Sequence, residues 1–119
     1  MSDGRWNLTK EEQKLYMDAL ADELAPLRAR AGISQGELAY LVGVSRQTYS
    51  SIELKKKKMS WSTYLSLIMV FDSIVSTHDE LRDLPAFPTE LINRFNDGRP
   101  VENKKEALMN DEFWSMVSE

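Results

Sequence analysis

Two serines eleven positions apart, Ser34 and Ser45, each stand directly before a run with helical spacing, and Gly43 lies between the two runs. Serine is a preferred N-cap, because its hydroxyl accepts a hydrogen bond from an amide of the first turn that has no partner in the helix. Glu37 completes a Ser-x-x-Glu capping box with Ser34. Gly43 can take a positive φ at little cost, so it stops the first helix at Val42 and turns the chain sharply. The sequence therefore predicts two short capped helices, Gln35 to Val42 and Arg46 to about Leu54, joined by a four-residue turn. Leu38, Ala39, Val42, Val44, Tyr49 and Ile52 are the expected inward positions, with Ala39 small where two helices cross closely.

The rest of the chain also reads as helical. No segment has the β-branched alternation of a strand. Thr9 and Glu12 form a capping box before a helix from about residue 10, whose one face carries Leu15, Ala19, Leu20, Leu24 and Leu27. Pro26 should either kink this helix or restart it, and Gly32 ends it. Ser60 caps a helix reaching about Ser73 that is apolar nearly all round and so needs cover on most sides. Thr77 and Glu80 read as a further capping box before a short helix that Pro85 must end. Pro88 suits a first helical position, Gly98 a stop, and Lys104 to Val117 a last helix, with 97–103 as a flexible linker. The expectation is an all-α chain: a compact bundle of four to five helices in residues 19–75, an N-terminal helical extension in 1–18, and a C-terminal helical extension in 76–119.

Charge sharpens the reading. The 119 residues carry a net −4, distributed as −1 over residues 1–18, +2 over 19–72 and −5 over 73–119. A basic middle beside an acidic C-terminal third predicts that the middle meets an anion. Four consecutive lysines, Lys55 to Lys58, follow the second short helix directly. The absence of cysteine excludes a disulfide scaffold, a thiolate metal site and a cysteine nucleophile. It also fits a reducing compartment, and with no basic-then-apolar start the chain is expected in the cytoplasm. The longest apolar-rich run, Trp61 to Phe71, spans 11 residues, against roughly 20 for a membrane helix. Gly32 and Gly36 make a GxxxG, but across a turn in a polar context, so no membrane-dimer motif is read there. There is no phosphate-binding glycine loop, nucleophile elbow or paired-histidine helix, and no enzyme activity, cofactor or metal is expected. His78 stands alone, and Asp79, Glu80 and Asp83 read as a solvated helix face.

Two capped helices around a glycine turn are the physical recipe of a helix-turn-helix, in which the second helix presents its N-terminal end to the major groove. The ordered set Leu27-Arg28, Gly32-Ile33-Ser34-Gln35, Glu37-Leu38-Ala39, Gly43-Val44-Ser45-Arg46 and Ile52-Glu53, then a basic loop and Ser60, resembles the phage-repressor or Cro-like helix-turn-helix family over about residues 19–72. The resemblance implies a dimeric transcriptional regulator that binds double-stranded DNA. It places Arg46, Gln47 and Ser51 at bases. Arg forks onto guanine and Gln pairs with adenine, so the residue types suit that role. It places Gln35 on a phosphate and pairs Glu53 with Arg28. Ser34, Ser45, Ser50 and the lysines Lys55, Lys56, Lys57 and Lys58 are the further expected phosphate contacts. The sequence departs from the family pattern at Lys55, which stands where glycine is frequent, at Met59 in place of proline, and at Tyr40 and Leu41, which replace polar residues. A homodimer is expected, with helix four, Tyr40-Leu41 and the Phe113–Val117 cluster as candidate patches. The other reading is a protein-interaction module of antitoxin-like kind, with a protein partner on the acidic C-terminal third.

Overall fold

A computed structural model describes residues 8–89, and within it residues 13–87 pack as one unit. Five α-helices follow in order: α1 (Lys10–Ala31), α2 (Gln35–Val42), α3 (Arg46–Glu53), α4 (Trp61–Ser73) and α5 (Val75–Arg82), and the described residues contain no strand. The all-α expectation therefore holds. The readings at Gly98, at 97–103 and from Lys104 to Val117 lie outside the described residues.

The helix starts are set by local chemistry. Thr9 Oγ1 accepts from the Glu12 amide at 3.0 Å, and the Glu12 carboxylate accepts from the Thr9 amide at 2.8 Å. Ser34 and Glu37 repeat the box at 3.0 and 2.9 Å. Ser45 Oγ accepts from the Thr48 amide at 3.0 Å, and Ser60 Oγ from the Thr63 amide at 3.1 Å. Gly32 and Gly43 both take the left-handed conformation, at φ 68° and 80°, and close α1 and α2. Pro26 sits inside α1, which runs through it as one helix.

The core is built from one stripe of each helix. Leu20, Leu24 and Leu27 of α1, Leu38 and Ala39 of α2, Tyr49 and Ile52 of α3, and Tyr64, Leu67, Ile68 and Phe71 of α4 are all buried. Leu15 does not belong to the stripe. It is 70% exposed, because at 3.6 residues per turn it lies about 140° around the helix from Leu20. Helix α4 receives cover from α2 and α5. Its Tyr64 hydroxyl donates to the Ala86 carbonyl at 2.6 Å, and the Tyr64 ring stacks on Trp61 at 4.6 Å. Met69, on the far side of α4, stays 70% exposed.

The start of α5 corrects the sequence reading. Thr77 is not its N-cap. The helix begins at Val75 after Ile74, whose extended conformation (φ −99°, ψ 127°) breaks the chain between α4 and α5 without any side-chain cap. Thr77 is fully buried, and its hydroxyl donates to the Phe71 carbonyl at 2.7 Å. At the end of α4 the Phe71 carbonyl receives only a long bond from the Ile74 amide, at 3.4 Å, and burial makes a poorly satisfied carbonyl costly. The hydroxyl supplies the shorter, second bond. Asp72 accepts both Arg82 nitrogens at 2.8 and 2.9 Å, which fastens α5 back onto α4. His78 Nδ1 lies 2.7 Å from the Asp72 carbonyl oxygen and belongs to the same junction.

Candidate nucleic-acid interface

Helix α3 has only eight residues, and its faces are sharply divided. Tyr49 and Ile52 are buried. At 100° per residue, Arg46, Gln47, Ser50 and Ser51 fall on an arc of about 140° on the other side. Arg46 and Gln47 are exposed, and Ser50 and Ser51 are half-buried. The fold thus brings these four sequence-predicted residues onto one accessible surface, opening at the N-terminal end of α3.

Position 36 shapes that end. A Cβ on Gly36 would stand 3.7 Å from Arg46 Cδ, so the arginine stem passes over a residue with no side chain. Sequence reasoning gave Gly36 no such part, because the contact joins the first turns of two helices. The amides at the starts of α2 and α3 point out of the helices, and the first ones have no partner within them. Ser34 and Ser45 spend their hydroxyls on their own helices: each accepts an amide, and Ser45 Oγ also donates to Thr48 Oγ1 at 3.0 Å. What these two positions offer an anion is chiefly the exposed amide row that they frame. Replacing Ser45 with alanine should cost about 1 kcal/mol of stability, and with glycine only a few tenths. Urea denaturation of the two variants measures the difference.

A half-buried ion pair holds α3 at its angle. Arg28 of α1 meets Glu53 at the end of α3 in a two-pronged contact, Nε to Oε1 and Nη2 to Oε2, each 3.0 Å. Arg28 Nη1 also donates to the Ile33 carbonyl at 3.3 Å, just before α2. Gln35 Nε2 reaches Glu53 Oε2 at 3.4 Å, so α1, the α2 entry and α3 converge on one carboxylate. The Arg28 guanidinium holds the Glu53 carboxyl below its ordinary range despite the opposing effect of burial. The Tyr49 hydroxyl beside them is pushed up, first by burial and then by Glu53. The pairing of Arg28 with Glu53 expected from the resemblance is present.

The lysine loop begins with Lys55 at φ 63°, so lysine takes the left-handed turn where glycine is usual. The loop is not free of the body. Lys55 pairs with Asp22 and Lys58 pairs with Asp18 at 3.2 Å, both on α1, and Lys14 reaches Asp18 at 2.6 Å. Lys14 and then Lys58 lower the Asp18 carboxyl. Among the described residues Lys56 and Lys57 meet no carboxylate. The four lysines therefore divide into two anchored and two unpaired cations. The anchoring aspartates were missed in the sequence because they lie 33 and 40 positions from their partners.

Tyr40 and Leu41, on the outer side of α2, are 84% and 56% exposed. No helix among the described residues is long and apolar enough to cross a membrane. No curated protein and no solved structure matches the chain. The helix-turn-helix domain family matches residues 19–81, from within α1 to the last turn of α5. That match takes in just over half of the sequence, and the chain belongs to the helix-turn-helix domain family.

Proposed function

We propose that this protein is a sequence-specific regulator of phage-repressor or Cro-like type that binds double-stranded DNA as a homodimer at a near-palindromic site. The observation that carries the reading is the outward arc of α3, where Arg46 and Gln47 open the second helix of the motif and are both exposed. Arg46, Gln47 and Ser51 read base edges. Gln35, Ser50, the amide rows framed by Ser34 and Ser45, and the loop of Lys55, Lys56, Lys57 and Lys58 hold phosphates. Helix α3 separates its base-reading end from the lysine loop by about 12 Å, the rise of eight residues, close to the width of the major groove at about 12 Å. The surface pairs of Lys55 and Lys58 are weak in water and yield to a phosphate at small cost. An overall acidic chain can still dock this way, since the local field governs approach.

One recognition helix reads only a few base pairs, and two-fold pairing supplies the rest, with half-sites about 34 Å apart. The pairing surface is placed outside residues 34–58, on helix four with the C-terminal third, where Met69 leaves apolar surface; Tyr40 and Leu41 are a further exposed apolar pair on α2. The logarithm of affinity for duplex DNA should fall linearly with the logarithm of salt, at about −0.9 per phosphate neutralised. Fluorescence anisotropy over a salt series measures this, and sedimentation of the same mixtures gives two chains per duplex. Binding indifferent to salt, or absent at low salt, removes the DNA reading. The acidic C-terminal third would then stand as the surface for a protein partner.

A further inference from the structure

Between α1 and the lysine loop lies a cleft of about 500 Å³ that shares its lysine rim with the proposed phosphate contacts but has an apolar floor that neither base reading nor phosphate contact uses. That volume falls in the range of small-molecule sites, roughly 300–1,000 Å³. Its floor is apolar: Met17 and Ala21 from α1, Ile52 from α3, and Met59. Ile52 and Met59 lie deepest, at 2% and 7% exposure, and Met17 and Ala21 are half-buried above them. Methionine is unbranched and polarizable, so a floor with two of them adapts to an irregular apolar body. The rim is cationic. Four ammonium groups, Lys14, Lys55, Lys57 and Lys58, face only two carboxylates, Asp18 and Asp22.

We propose that this cleft binds a small amphipathic anion: a carboxylate or sulfonate carried on an aromatic or branched apolar body. The two halves of that description come from two different features. A bare inorganic anion leaves the apolar floor wet, and a neutral apolar compound leaves Lys57 without a counter-ion. A cation is opposed by the surplus of ammonium groups on the rim. Lys57 supplies the charge-assisted contact to the anionic head, because it is the rim lysine that meets no carboxylate among the described residues. A second consequence rests on the DNA reading above. An anion seated on Lys57 competes with a phosphate for the same cation, so ligand and DNA weaken each other by the same factor.

The probe is 8-anilinonaphthalene-1-sulfonate with the full chain, beside N-phenyl-1-naphthylamine, which carries a similar aromatic body without the charge. The sulfonate should bind saturably at one per chain and shift the methyl resonances of Met17, Ala21 and Met59. The neutral compound should bind at least about tenfold more weakly, the loss expected for one charge-assisted contact. Lys57→Glu should weaken the sulfonate by a similar factor and leave the neutral compound unchanged. Ala21→Trp, which fills the cleft, should abolish both, with circular dichroism checking that the fold persists. Equal binding of the two compounds, indifference to Lys57→Glu, or methyl shifts at Ile33 and Leu41 instead, would overturn the site. Saturating sulfonate should also weaken duplex binding several-fold. If the sulfonate binds as described while no duplex binds at any salt, the DNA reading fails and the ligand site stands.

Discussion

Glu53→Ala should lower the stability of the protein by roughly 2–3 kcal/mol, more than the loss of any surface charge on it. Removing one partner of a buried pair leaves the other charge without compensation, at about 3–5 kcal/mol when burial is complete. Here the Arg28 side chain is 24% and that of Glu53 10% exposed, so water recovers part of the loss. Glu53→Gln, which keeps an acceptor but not the charge, should fall between the two. The pH dependence follows from the direction of the shift. Glu53 is depressed below its ordinary value of 4.5, so its contribution is fully present above about pH 4.5. It is lost as pH falls through the lower, folded-state value. Urea midpoints from pH 7 to pH 3 should therefore drop on the acid side in the wild type, and less steeply in Glu53→Gln. A Glu53→Ala variant as stable as the wild type would mean that this pair does not fix α3.

Arg46→Ala and Lys57→Ala should damage DNA binding in different ways. A two-pronged arginine contact to guanine discriminates by about 1–3 kcal/mol. Its loss should lower affinity for the preferred site by that amount and leave poor sites nearly unchanged, so preference relaxes at one position in each half-site. Among the described residues Lys57 meets no carboxylate, so its removal disturbs no pair there. Its loss should weaken every sequence alike and reduce the salt slope by about 1. Anisotropy against a panel of single-base variants, at two salt concentrations, separates the two profiles. Identical profiles for both substitutions would mean that Arg46 acts only as a charge.

The features readable in the sequence are those whose partners lie within about four residues. Thr9 with Glu12, Ser34 with Glu37, Ser45 and Ser60 form caps from neighbours along the chain, so residue type and spacing are enough. The outward arc of α3 is equally local, because periodicity alone divides Tyr49 and Ile52 from Arg46 and Gln47. What escaped is of longer range. Asp18 and Asp22 look like ordinary surface acids until the turn after α3 carries Lys58 and Lys55 back to α1. Gly36 looks like a loose first turn until Arg46 lies across it. Thr77 was misplaced because a threonine three residues before a glutamate has the pattern of a cap, whereas its hydroxyl serves the preceding helix. The Arg28–Glu53 pair, 25 positions apart, was accessible only through resemblance, since no local rule joins those two residues.

Residue 55 is where the shape of the chain and its charge make opposite demands. A left-handed lysine carries a penalty of about 1–2 kcal/mol, and glycine would remove it. Part of that gain returns to the unfolded chain, which glycine makes freer by roughly 0.5–1 kcal/mol. Lys55→Gly should thus leave the protein as stable or slightly more stable, judged by urea denaturation, while duplex binding weakens and the link to Asp22 is lost. If Lys55 holds a phosphate as proposed, a sturdier fold and tighter binding pull this single position in different directions.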